Sequence, residues 1–189
     1  MKLAPALKAT SVVLLLAGAL AFGWMNYRQF LSRGRQAPDS AKLLNQLEKS
    51  GLPSFKLDDL KGRDISLATF TGKVVILNFW ASWCDPCVSE FPSLISLIEK
   101  FNGGIVLLAV SADYERKDID SFMQLFKVKS PFIHISWDKD LNLAKQLGTS
   151  RLPESYIIGR DGHLIRKVAG VDDWSSPGAF EYFSELLKK

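Results

Sequence analysis

Val74-Val75-Ile76-Leu77-Asn78-Phe79-Trp80-Ala81-Ser82-Trp83-Cys84-Asp85-Pro86-Cys87 is the stretch on which the reading of this chain turns. Its first six residues are apolar and rich in β-branched side chains apart from Asn78, the composition of a buried strand. A helical pattern takes over at about Pro86 and continues to about Phe101. A strand therefore delivers two cysteines, the only two in 189 residues, to the start of a helix. Backbone N–H groups there lack intrahelical acceptors and carry partial positive charge, and both effects favour a thiolate on Cys84. A spacing of three puts the Cys87 sulfur on the same helix face, close enough to close a disulfide. The chemistry this implies is thiol–disulfide exchange.

Two blander readings compete. A structural zinc site would need two further soft or imidazole ligands. The chain offers only His134 and His163, on separate predicted strands and in no ligand-like spacing. An inert bridge closing so short a loop would remove little unfolded-state entropy and make a weak staple.

The formal net charge of +4 is misleading, because it is concentrated at one end. Lys2, Lys8, Arg28, Arg33 and Arg35 precede the first acidic residue, and the rest of the chain carries 19 basic against 20 acidic side chains. Nothing in that balance points to nucleic acid. At this length, one good core is the expectation, not two.

Residues 1–27 read as a separate segment. Lys2 and Lys8 are followed by an uncharged run from Ala9 through Tyr27, with Val12 to Phe22 too apolar for a surface helix. The run approaches the ~20 residues that span a bilayer. Alternatively, Ala19-Leu20-Ala21 is a small-x-small cleavage signal and the segment is removed. Trp24 and Tyr27 beyond that point resemble interfacial aromatics and favour a retained anchor. The arginines that follow weaken the positive-inside cue for its orientation. Either way the remainder is exported.

Residues 28–52 form a polar linker and a short amphipathic helix, capped by Asp39-Ser40, with Leu43, Leu44 and Leu47 on one face. That helix either packs on the domain or spaces it from the membrane. Residues 53–189 hold the domain. Phe55-Lys56-Leu57 and Asp64-Ile65-Ser66-Leu67 predict an N-terminal hairpin turning at Lys61-Gly62. Ile105 to Val110 is a second continuous apolar strand, as in a parallel sheet. Helices are predicted over Glu115 to Lys127 and Lys139 to Leu147, with a short strand at Phe132 to Ile135 between them. Ser155 to Ile158 and His163 to Val168 form an antiparallel hairpin around Arg160-Asp161-Gly162, and an amphipathic helix runs from about Pro177 to Leu187.

This order of elements, with Trp-Cys-x-x-Cys at a helix start and Leu152-Pro153 ahead of the last hairpin, is similar to the thioredoxin fold: α/β, a central mixed sheet flanked by helices. Gly72 through Cys87, with Glu90 and Pro92, resembles the membrane-anchored TlpA/ResA/CcmG-type thiol–disulfide oxidoreductases. Arg151-Leu152-Pro153-Glu154-Ser155-Tyr156-Ile157-Ile158 with Asp161-Gly162 matches that family's second signature. The resemblance covers roughly residues 53–187, and Asn78 in place of the aspartate usual in thioredoxins places the chain with this branch. It implies a reductase of exported proteins, apocytochrome c among them, acting outside the bacterial cytoplasmic membrane. An upstream membrane dithiol donor would keep it reduced, with no cofactor and no metal.

Cys84 is then the exposed nucleophile and Cys87 the more buried resolving thiol. Asp85 puts negative charge beside the thiolate, which raises the Cys84 pKa and favours the disulfide; it is equally an ordinary acid at a helix N-terminus. Pro86 fits the first helical turn at no hydrogen-bond cost. Glu90, three residues after Cys87, is either a surface acid or, as the resemblance implies, a desolvated carboxylate moving the Cys87 proton. The resemblance further implies a cis Leu152–Pro153 bond, against the base rate, offering the backbone of residue 152 to an extended substrate. Glu154 either meets substrate or is a solvated strand-edge residue. Trp83 is placed at the groove rim, Trp80 in the core, and Trp137 and Trp174 as packing residues.

An oxidase or isomerase on the same fold and a non-enzymatic binding module are the alternatives. A peroxidase is disfavoured because Ala81, three residues before Cys84, replaces the threonine or serine of peroxidase sites.

Overall fold

The computed structural model describes residues 17–28 and 39–188 and divides the chain into two compact units, 1–41 and 42–189. In the first unit residues 17–28 are helical, with Leu20, Phe22, Trp24, Met25 and Tyr27 exposed. Among the described residues no helix is long and apolar enough to cross a membrane. Residues 1–16 of the expected anchor lie outside the described residues.

In the second unit a five-stranded mixed sheet has the order β5-β4-β3-β6-β7. Its strands are β3 (Val74–Trp80), β4 (Ile105–Ser111), β5 (Ile133–Trp137), β6 (Glu154–Ile158) and β7 (Leu164–Ala169). β3, β4 and β5 run parallel, whereas β6 is antiparallel to both β3 and β7. All seven residues of β3 and all seven of β4 are buried, which explains their unbroken apolar sequences: each faces helices on both sides.

Two cores follow from the strand alternation. On one face Ile76, Trp80, Ile105 and Leu107 meet α2 (Asp85–Phe101), α3 (Arg116–Phe126) and α5 (Pro177–Leu186) through Phe91, Leu94, Phe122 and Phe183. On the other, Val75, Leu77, Phe79 and Tyr156 meet α1 (Asp39–Ser50) and α4 (Asn142–Gln146) through Leu47 and Leu143. Leu47 is buried and Leu43 and Leu44 pack beside it, so α1 belongs to this body and is not merely a spacer.

Several elements are shorter than the sequence suggests. The N-terminal hairpin is reduced to β1 (Leu57–Asp58) and β2 (Asp64–Ile65), because Asp59 ties the turn with bonds from the Lys61 and Arg63 amides and Ser66 begins a 3₁₀ turn over Leu67–Phe70. The helix expected over 139–147 covers only Asn142–Gln146, since Leu141 sits at φ +55° and Asp138 caps the first turn with bonds from the amides of Asn142 and Ala144. β5 extends two residues further, to Trp137, where the Trp137 indole donates to the Asp113 carbonyl at 2.7 Å.

Because Leu47 is 3% exposed, Leu47→Ala is expected to lower unfolding free energy by about 2–5 kcal/mol in a urea titration. An unchanged midpoint would return α1 to the role of a spacer.

Candidate functional site

β3 ends at Trp80, and Ala81-Ser82-Trp83 turns the chain into α2 with Cys84 as its N-cap. Ser82 is fixed from the neighbouring strand. The carboxylate of Asp113, fully buried just past β4, accepts from the Ser82 amide at 3.0 Å, the Ser82 hydroxyl at 2.7 Å and the Ser111 hydroxyl at 2.7 Å. Next to it Tyr114 stacks on Trp83, with ring centroids 6.0 Å apart and planes 19° from parallel. The turn before the cysteines is thus held from inside by a charge and from outside by a ring.

Cys84 and Cys87 are joined by a disulfide, and the Cys87 amide donates to the Cys84 sulfur at 3.3 Å. This is the helix-terminus stabilisation of the first sulfur that the spacing anticipates. Pro86 occupies the first helical turn, where its missing N–H leaves no helical bond unmade. Cys84 is only 6% exposed, less than expected of a free nucleophile. It lines an open groove of about 620 Å³ together with Trp83, Pro86, Tyr114, Leu141 and Leu152, whereas Cys87 does not reach it. The two sulfurs are therefore inequivalent toward an incoming partner.

Glu90 lies on α2 one turn beyond Cys87 and is 3% exposed, so it is not a surface acid. Its Oε1 accepts from the Trp174 indole at 2.6 Å and the Asp172 amide at 3.0 Å. Burial pushes the carboxyl above its ordinary range; the Trp174, Asp172 and Asn78 donors pull back, and the Asp172 charge adds to the rise. The loop over 172–174 docks on α2 next to Pro92, which the helix carries without a break: the Ser93 hydroxyl donates to the Glu90 carbonyl, and the Trp174 amide donates to that hydroxyl. Trp174, read from sequence as packing, is a direct partner of the buried acid. No local signal could reveal this, since the two residues are separated by 84 positions. Asn78 donates to the Ser155 hydroxyl at 2.9 Å and lies beneath the same acid, so its polar side chain in a buried strand is satisfied.

The Leu152–Pro153 bond is cis, with Leu152 at the groove and Pro153 buried. Glu154 is neither a solvated edge residue nor a groove residue. It is 2% exposed and pairs with Lys167 Nζ at 3.1 Å, because β7 covers β6 on that side. Lys167 also lies over the Tyr156 ring at 4.9 Å, and the Tyr156 hydroxyl donates to the Leu147 carbonyl at 2.8 Å. Burial alone would lower the Lys167 pKa, but Tyr156 and Glu154 outweigh it and hold it above its ordinary value. Asp85 is exposed at the groove margin beside Cys84. His134 packs on Phe70 and His163 sits beside Asp161, both away from the cysteines. Tyr114 and Leu141 were missed by sequence reasoning, although Tyr114 follows the carboxyl end of a parallel strand, where open α/β sheets place their sites.

A sequence model of the AhpC/TSA family matches residues 49–167. Thiol-disulfide oxidoreductase ResA of Bacillus cereus (strain ATCC 10987 / NRS 248) is 30% identical over 183 residues, 94% of this chain and 92% of that one. Among solved structures, a Chlorobium tepidum protein assigned as the thiol:disulfide interchange protein DsbE is 28% identical with a TM-score of 0.60, over 73% of this chain and 93% of that one. StoA of Bacillus subtilis, 22% identical with a TM-score of 0.58 over 72% and 97% of the two chains, supports the fold alone.

Two measurements test this geometry. Raised by burial, Glu90 contributes stability that is complete below the ordinary carboxylate range and lost as pH rises through its elevated value. Glu90→Gln should therefore flatten the pH profile of unfolding free energy on that limb, and Trp174→Phe should move the limb to higher pH by removing a donor to the charged form. Separately, Lys167→Met should cost about 3–5 kcal/mol in chemical denaturation by leaving Glu154 buried and unpaired; a loss below about 1 kcal/mol would show that the pair is solvent-screened.

Proposed function

The chain belongs to the TlpA/ResA/CcmG-type thiol–disulfide oxidoreductases of the AhpC/TSA family, and on that premise we propose that it reduces disulfides in exported proteins. The observation that carries this reading is the inequivalence of the sulfurs: Cys84 lines the groove and receives the Cys87 amide, while Cys87 is held behind it.

In the dithiol form the Cys84 thiolate attacks one sulfur of the substrate disulfide, forming a mixed disulfide and releasing the first substrate thiolate. Cys87 then attacks the Cys84 sulfur, closing the internal disulfide and releasing the second. Two electrons pass to the substrate, and its two thiolates take up two protons. The Glu90 carboxylate, made a stronger base than an ordinary one by burial, accepts the Cys87 proton as that thiol becomes a nucleophile. Asp85 opposes a second negative charge at Cys84, which disfavours the dithiol and makes the couple more reducing. The backbone of Leu152 beside Cys84 suits pairing with an extended substrate segment, which Trp83 meets from the rim.

The cycle requires an upstream dithiol donor to reopen Cys84–Cys87. The uncharged run of residues 9–27 supports a single-pass anchor in the bacterial cytoplasmic membrane, with the redox domain on the extracytoplasmic side. Apocytochrome c is the substrate we favour, and the site needs no cofactor for this chemistry.

Equilibration against glutathione or dithiothreitol buffers should give a midpoint near or below about −200 mV; a value near −120 mV would make the protein an oxidant instead. Cys84→Ser should abolish reduction of a protein disulfide, and Cys87→Ala should accumulate mixed disulfides that identify the substrate by mass. Full activity in Cys84→Ser would take Cys84 out of the chemistry and overturn this reading.

A further inference from the structure

Leu141 has a backbone its side chain does not favour. Among the described residues three non-glycine positions have positive φ, and two of them, Asn102 and Lys127, end helices in the usual left-handed cap. Leu141, at φ +55° and ψ +32°, instead precedes one. A left-handed leucine brings its Cβ against its own carbonyl, a strain that glycine or asparagine would avoid. The surroundings enforce it. Buried Asp138 accepts the Leu141 amide on its carbonyl and the Asn142 and Ala144 amides on its carboxylate, all three at 2.9 Å.

The strain is not repaid in the core, for Leu141 is 38% exposed. It lines the groove of Cys84, as do Trp83 and Tyr114, 53% and 77% exposed. These three make up half of the six large apolar side chains left exposed between residues 42 and 188. Asp85 and Arg151, of opposite sign, line the same groove, so charge does not choose its occupant. A strained residue held at a functional cleft, presenting apolar surface to water, is explained by what it contacts during function.

We propose that Leu141, with Tyr114 and Trp83, forms a subsite for a bulky apolar side chain flanking the cysteine of the substrate polypeptide, and that Leu141 is the residue that selects it. The inference rests on the reductase reading, because the occupant is whatever segment brings a disulfide to Cys84, and the subsite is continuous with that sulfur. A small thiol such as glutathione has no side chain to fill it. An extended segment with leucine or phenylalanine beside its cysteine does.

The test uses the full-length chain in detergent, reduced with dithiothreitol and freed of it. Second-order rate constants are measured for two cyclic peptide disulfides that differ only in phenylalanine or serine next to the attacked cysteine. In each turnover the Cys84–Cys87 dithiol is oxidised and the peptide disulfide reduced to two thiols. The wild type should prefer the phenylalanine peptide by about tenfold or more, in the range an apolar pocket achieves. Leu141→Gly and Leu141→Asn, both at ease in the left-handed region, should bring the ratio close to one while the melting temperature holds or rises. Falling selectivity with rising stability is a combination a purely structural leucine would not produce.

Equal rates for the two peptides in the wild type, or an unchanged ratio in both variants, overturn the inference and leave the reductase function standing. Loss of selectivity in step with a falling melting temperature also overturns it, as does a rate constant that drops with rising protein concentration, which would assign the groove to a second copy. A wild type that reduces neither peptide overturns the reductase reading, and the subsite with it.

Discussion

Burial of β3 on both faces is the constraint from which the rest follows. A strand paired along both edges, with every side chain out of water, has one register and no freedom to slide. Its C-terminal end is therefore a fixed point, and Cys84 emerges four residues beyond it. The Asp113 carboxylate extends that rigidity across the intervening turn by taking up both donors of Ser82. A redox pair must keep its geometry when its own covalent link opens, and here the link is not what holds the turn in place.

Placement on the same strand also settles the environment of the acid. α2 starts at the groove and descends over the sheet, so a residue one turn beyond Cys87 is already roofed by the loop over 172–174. Burial works against ionisation of Glu90, and two N–H groups on one oxygen work for it. The outcome is an acid above its usual range, with burial the larger of the opposing effects. The Ser93 hydroxyl contributes by bridging the Glu90 carbonyl to the Trp174 amide, which ties down the loop that carries the indole.

What the sequence reveals divides along the same physical lines. β3, β4 and α2 are legible because two-sided burial writes continuous apolar runs and a helix start writes its cap. The cysteine chemistry is legible because it is local. α4 is not, since its shortening depends on Asp138 reaching forward to two amides, and that competes with an otherwise helical pattern. The first hairpin is overread for a similar reason: Asp59 diverts amides that a longer ladder would have used. Trp174 and Glu154 are misjudged because their roles are set by partners on other elements. A tryptophan looks like filler and a glutamate after proline looks like surface until the Glu90 carboxylate and the Lys167 ammonium are set beside them.

The alternation of side chains along the sheet has one more consequence. Asn78 and Ser155 point to the face that carries Glu90, whereas their neighbours Phe79 and Glu154 point to the other. The sheet itself thus stands between these two buried carboxylates, with Trp174 and the Asp172 amide meeting Glu90 on one side and Lys167 meeting Glu154 on the other. Each acid answers to its own set of neighbours, so the ion pair that fastens β7 to β6 shares no hydrogen-bond donor, among the described residues, with the carboxyl behind the cysteines.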